Sequence, residues 1–217
     1  WQRLIILLGG VTVNFIVAIV IYSGMMAYYG DTYVSNDSLK DGVWVNDLGH
    51  ELGLMTGDRI ISVGGDNLDR FSDIKIEMLL GSGSNVAVAR GADIIMLPIT
   101  TDFVAKAIES KAPWMTPRIP YFVKGFTENS PAGKTGLLQG DQIVSFNGVS
   151  MPYFDQYIKE VPNFAGQPVT IGILRSDSVI SFDFTVSENG QMGVYYENNL
   201  AELFPLTTIK YTGFGAV

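Results

Sequence analysis

Cysteine is absent from the 217 residues, and histidine occurs once, at His50. The first absence removes disulfide scaffolds, thiolate metal sites and cysteine nucleophiles together. The second bears on metal chemistry: catalytic zinc takes three protein ligands plus water, usually with two His among them, so this chain does not complete such a site. A Ser-His-Asp triad has only His50 to draw on, and no Gly-x-Ser-x-Gly elbow occurs. Basic charge is also scarce, 14 Lys and Arg against 22 Asp and Glu, for a formal net charge of -8. An acidic chain is repelled by phosphate backbones, which argues against nucleic acid as a partner. The acidic residues form no long run, so they read as a solvated surface. Gly81-Ser82-Gly83-Ser84-Asn85 is rich in glycine but lacks the Gly-Lys-Ser/Thr that a phosphate cradle needs, and reads as a loop.

What is present begins with one long apolar run. From Leu4 to Tyr29 there is no Asp, Glu, Lys or Arg. About 20 apolar residues cross the hydrocarbon core, so residues 1–30 are expected to hold one transmembrane helix in contact with a lipid bilayer. A signal peptide has a shorter apolar stretch. Arg3 precedes the run, whereas Asp31, Asp37 and Asp41 follow it. The positive-inside tendency then places Trp1 at the cytoplasmic face and the rest of the chain outside. Asn14 is the one amide inside the run, and it shares a helix face with Gly10, four residues earlier.

The remainder is organised by an internal repeat. Residues 53–65 (GLMTGDRIISVGG) and 136–148 (GLLQGDQIVSFNG) match at a constant spacing of 83, with Gly53/Gly136, Leu54/Leu137, Gly57/Gly140, Asp58/Asp141, Ile60/Ile143, Ser62/Ser145 and Gly65/Gly148 identical. In each, Gly-Leu ends a short helix, Gly-Asp makes a turn and an apolar strand follows. Strict alternation along that strand would turn Ile60 and Ser62 to one face, and Ile61 and Val63 to the other. A helix follows, with Phe71, Ile74, Met78 and Leu79 on one face in the first copy, and Phe154, Tyr157, Ile158 and Val161 in the second. Two strands joined by short turns close each copy, 85–90 with 93–99 and 168–175 with 178–186. The copies are read as units 36–105 and 115–198, with Lys111-Ala112-Pro113 between them.

The stretch from Ser130-Pro131-Ala132 through Gly140-Asp141 to Asn147-Gly148 resembles the core signature of bacterial PDZ domains. The first copy has Asp47-Leu48-Gly49 in place of the Ser-Pro-Ala entry. A span followed by two such units resembles the site-2 protease family, of the regulator-of-sigma-E type with tandem extracytoplasmic PDZ domains. Gly10-Val11-Thr12-Val13-Asn14-Phe15 is similar to the Gly-x-x-x-Asn pattern of that family's second transmembrane helix. Tyr211-Thr212-Gly213-Phe214-Gly215, within 199–217, looks like the lead-in to its next helix.

The resemblance implies a fold of one transmembrane helix followed by two PDZ-like domains, mainly β with short helices, forming partly open barrels. It implies the middle portion of an intramembrane zinc metalloendopeptidase of a bacterial inner membrane, with the PDZ units on the periplasmic side and a transmembrane protein as substrate. Zinc would belong to the complete protein and not to this segment: His50-Glu51-Leu52-Gly53-Leu54 starts like the family's His-Glu-x-x-His but carries Leu54 at the second His, and no catalytic residue lies here. By resemblance Gly10 and Asn14 would border the substrate in the membrane, Asn14 holding unwound backbone; packing against a neighbouring helix is the other reading. PDZ units bind extended C-terminal peptides by strand addition beside a helix, which makes Tyr157 and Val161 candidates for an apolar groove wall. Steric filtering of bulky substrates is an equal alternative for these units, and a non-catalytic membrane-anchored PDZ adaptor is the alternative for the whole.

Overall fold

The apolar run lies within α1, Gln2–Tyr29, in a computed structural model that describes residues 2–81 and 83–211. A helix satisfies every backbone donor and acceptor within itself, which an apolar run requires in lipid. Leu8–Tyr29 is long and apolar enough to cross a membrane, and no part of that stretch is buried by protein. The Thr12 hydroxyl donates to the Leu8 carbonyl at 2.7 Å, so its polarity is absorbed along the helix. β1, Asp31–Val34, follows.

Residues 35–205 form one unit and hold both copies of the repeat; the two ends of the chain form another. The first copy runs β2 (Val43–Val45), α2 (Asp47–Glu51), β3 (Arg59–Val63), α3 (Phe71–Leu80), β4 (Asn85–Arg90), β5 (Asp93–Pro98), α4 (Thr101–Glu109) and β6 (Met115–Pro117). The second runs β7 (Tyr121–Phe126), β8 (Gln142–Phe146), β9 (Val149–Ser150), α5 (Phe154–Glu160), β10 (Pro168–Arg175), β11 (Ser178–Thr185) and β12 (Val194–Tyr196). After it come α6 (Leu200–Leu203) and β13 (Leu206–Ile209), and β13 pairs antiparallel with β1. The sequence offers no sign of that ribbon; its reading of 199–217 as a lead-in falls partly on residues 212–217, outside the described residues.

In the second copy the strand order is β11-β10-β8-β7-β12, with β9 beside β8. The first copy has β3-β4-β5 and, separately, β2-β6. None of these sheets closes on itself, so the architecture is one apolar helix followed by mainly β copies with short helices and open sheets, as the repeat and its resemblance imply. The hairpins fall where the turn residues put them, with Arg90 opposite Asp93 and Arg175 opposite Ser178. Buried Ile143, Phe146, Ile171 and Ile173 centre the second core, and each apolar side chain of this size contributes roughly 1.5–3 kcal/mol when fully buried.

The alternation expected on β3 does not hold. Ile60 and Val63 are both buried, because the pairing with β4 shifts between Ile60 and Ser62. The second copy repeats the irregularity: Ile143 and Phe146 are buried, and the pairing of β10 with β8 skips Val144. A bulge adds one residue and restores the inward face.

Residues 100–117 are all part of the first copy's fabric, although the sequence reading leaves 106–114 between the units and begins the second unit at 115. Thr100 caps α4 by accepting from Phe103 N–H, and Phe103 and Ala107 are buried. β6 pairs with β2, Val43 opposite Pro117, just as β12 pairs with β7, Tyr196 opposite Val123. Lys111-Ala112-Pro113 therefore leads into the first copy's closing strand. The propensity signal for such a three-residue strand is weak; only its partner defines it.

A side-chain clasp secures the Gly-Asp turn of both copies. Buried Asp58 takes two hydrogen bonds from Arg90, at 2.8 Å each, and one from Met55 N–H, while Arg90 also reaches Gly53 O. Asp141 takes two from Arg175, at 2.6 Å each, and one from Leu138 N–H, while Arg175 reaches Gly136 O. Burial works against the Asp141 charge, but Arg175 and the Leu138 N–H outweigh it and hold the carboxyl below the usual carboxylate range.

Candidate functional site

The apolar helix face read from sequence fixes one wall of a groove in the second copy. α5 presents Phe154, Tyr157 and Ile158, and Val161 and Pro162 continue the wall in the single turn that follows. Tyr157 and Val161 are almost wholly buried, whereas Ile158 is 57% exposed and forms the rim. The opposite wall is β12, and the floor of one end is the loop Gly190-Gln191-Met192-Gly193. The groove measures about 390 Å³, and none of the described residues lining it is charged.

Among the described residues β12 ends its sheet, pairing with β7 on one side only. Its other edge borders the groove, the arrangement from which an added strand takes main-chain hydrogen bonds. The loop before it requires its glycines. A Cβ on Gly193, at φ +74°, would lie 2.8 Å from both the Ser130 and Thr127 hydroxyl oxygens, and one on Gly190 would lie 2.9 Å from Pro162 Cα. Without side chains there, the loop lies against both neighbours. Gly193 O accepts from Thr127 N–H, and Met192 O accepts from Ala132 N–H and the Ser130 hydroxyl. Among the described residues, no acceptor takes the N–H of Met192 or Gly193. Adjacent N–H groups without a protein acceptor are the kind of donors that an anion takes.

Tyr157 Oη is buried with no hydrogen-bond partner among the described residues, and burial pushes its pKa up, as it does that of neighbouring Tyr121. It serves as an apolar wall, packed edge-on against Tyr121 and Phe146.

The first copy differs at each of these places. Trp114 stands where Gly193 does, since its carbonyl accepts from Asn46 N–H as Gly193 O does from Thr127 N–H. Pro113, at the position of Met192, has no N–H to offer. Trp114 is buried and packs edge-to-face on Phe103 of α4 at 5.1 Å, and α4 packs against both α2 and α3. Lys75 replaces Ile158 on the helix.

The foot of α5 is anchored to the segment joining the copies. Arg118 pairs with Asp155 through two hydrogen bonds, at 3.0 and 3.2 Å, and lies over the Tyr153 ring. Tyr153 Oη donates to Asp41 of the first copy at 2.6 Å; burial first, and Asp41 second, push the Tyr153 pKa up.

Of the residues singled out from sequence, Tyr157 and Val161 lie side by side in the groove wall. Gly10 and Asn14 lie one turn apart on α1, exposed, with open space around Gly10. His50 Nδ1 sits 2.9 Å from Leu54 O, the residue that interrupts the metal motif, and among the described residues no three His, Cys, Asp or Glu gather as metal ligands. The loop 190–193, β12 and the Arg90 and Arg175 clasps were not anticipated. Gly190 and Gly193 bracketing Met192, followed by Val194 and Tyr196 two apart, is the signal that would have found the first two.

No family model matches the chain. The PDZ domain of an SdrC-like protein from Listeria monocytogenes aligns at 18% identity with a TM-score of 0.31, covering 40% of this chain and 93% of that one. Over 91 residues, 40% of its length, the chain is 32% identical to the zinc metalloprotease RasP of Shouchella clausii, and it spans only 22% of that protein.

Proposed function

We propose that this chain is the middle portion of a site-2-type intramembrane zinc metalloprotease, and that its second PDZ-like copy captures the free C-terminal end of an extended peptide. The observation that carries the groove reading is that, among the described residues, β12 has one edge without a partner, follows two N–H groups without an acceptor and lines the groove opposite the apolar wall of α5. A peptide lying antiparallel to β12 would place its carboxylate on the Met192 and Gly193 amides. Its last apolar side chain would enter between Val161 and Met192. The uncharged lining supplies selectivity through shape and apolarity.

The protease assignment is supported by the likeness to a zinc metalloprotease together with an apolar helix that carries Gly10 and Asn14. Zinc, when bound in such an enzyme, polarises the scissile carbonyl and activates water. The described residues of this chain offer no ligand set for it, so the metal would be held by other parts of the complete protein. The chain after α1 would lie outside the cytoplasm, by the Arg3 and Asp31 asymmetry. Asn14 would donate to and accept from substrate backbone left unpaired in lipid. Asn14→Leu in the complete protein is expected to lower proteolysis at unchanged expression; full activity would leave Asn14 as packing.

The groove is tested on the full chain in detergent, with one apolar peptide made as the free acid and as the C-terminal amide. The free acid is expected to bind about tenfold more tightly, the loss of a charge-assisted pair of hydrogen bonds being of that order. Equal affinities would exclude the chain-end reading.

A further inference from the structure

The α5–β12 groove is blocked at one end. Phe154 of α5 and Tyr196 of β12 stack with ring centroids 3.6 Å apart and planes inclined by 22°. A strand added to β12 lies about 4.8 Å from it and needs room for its own side chains beyond that. Two rings in van der Waals contact across the groove leave no such room. From Gly193 to Tyr196 the open edge spans three steps, about 10 Å at 3.3 Å per residue.

We infer that the Phe154–Tyr196 stack sets the length of peptide the second copy accepts, limiting it to about the last three residues of a chain; this rests on the peptide-capture reading above. A longer strand pairs along β12 only if the stack opens. The backbone on the helix side is not free to open it. Phe154 N–H donates to Ile119 O at 3.1 Å, and its neighbour Asp155 is held by both nitrogens of the Arg118 fork. On the strand side, Tyr196 is paired opposite Val123, and Glu197 N–H continues that pairing to Phe122 O. Opening therefore falls to side-chain rotation, against the loss of the stacking contact. The device belongs to the second copy alone: Pro117 is the first copy's counterpart of Tyr196, by the matching registers with Val43 and Val123.

The consequence is selectivity by topology. An internal segment would have to continue past the 190–193 loop at one end of β12 and past the stack at the other, whereas a chain end stops at the loop and meets only the stack.

The test is a length series on the full chain in detergent: an apolar tripeptide and a hexapeptide ending in the same three residues, both free acids, titrated by calorimetry. On the unaltered protein the hexapeptide-to-tripeptide affinity ratio is expected to be within about twofold of one. In Tyr196→Val and in Phe154→Leu, which keep a strand former and an apolar helix residue respectively, the ratio is expected to rise to about ten. A ratio of ten or more on the unaltered protein, or no change of ratio in either folded variant, overturns the length limit while leaving peptide capture in place. Absence of binding by both peptides to all three proteins overturns the capture reading, and this inference with it.

Discussion

In the second copy the segment between the hairpin and the closing strand is a tight loop, and in the first copy it is a helix. The surrounding frame is shared: the Gly-Asp turn, the buried Asp held by an Arg fork, the bulge, the helix with Phe71 or Phe154 at its start, and the closing strand itself. Where the second copy has Gly190 to Gly193, the first has Lys111 to Trp114, preceded by α4. A glycine loop leaves amides open at a groove; a Pro-Trp pair removes one amide and buries an indole against Phe103. The same frame thus supports one copy with an open groove and one whose equivalent place is packed. A repeat conserves the parts that hold a fold, while the site depends on a loop that the repeat does not include.

The contrast is broken most severely at Trp114. Trp114→Ala removes a buried indole and should destabilise the first copy by about 3–5 kcal/mol in urea unfolding. A loss under 1 kcal/mol would mean that this segment is not part of the first core.

The clasp should behave alike in both copies. Asp58→Ala and Asp141→Ala each remove the buried acceptor of a part-exposed Arg fork and of a turn N–H, and each should cost about 1–3 kcal/mol. For Asp141 the folded pKa is depressed. Its contribution is therefore complete above the unfolded carboxylate value, near 4, and is lost as the pH falls through the folded value. Asp141→Asn should flatten that acid limb; an unchanged acid profile would contradict it.

A smaller effect is expected from making the second helix like the first. Ile158→Lys reproduces Lys75 at an exposed rim position, so the fold should survive while peptide affinity falls about tenfold, the worth of one partly buried aliphatic side chain. Unchanged affinity in calorimetry would place the ligand elsewhere.

Much of the fold was legible in the sequence because its signals are local. Charge-free length marks α1, the spacing of 83 marks the two copies, and apolar periodicity marks α3 and α5 with Tyr157 and Val161 on the buried side. What escaped depends on contacts between distant residues. β6 and β12 are three residues long and exist through their pairing with β2 and β7. The β1–β13 ribbon joins segments at opposite ends of the chain. The bulges arise from register, which strict alternation cannot express. Arg90 and Arg175 sit at ordinary hairpin ends, and only their distance to Asp58 and Asp141 shows what they hold. The free amides of Met192 and Gly193 likewise follow from what Thr127 and Ser130 do opposite them.

The central claim is that one copy captures chain ends and the other does not. Recording backbone amide shifts of the full chain in detergent during titration with a free-acid apolar peptide tests it most directly. The account predicts shifts at 190–196 and along 154–162, with 71–80 and 111–117 unmoved. Shifts centred on 71–80 and 111–117, or none in either copy at saturating peptide, would contradict it.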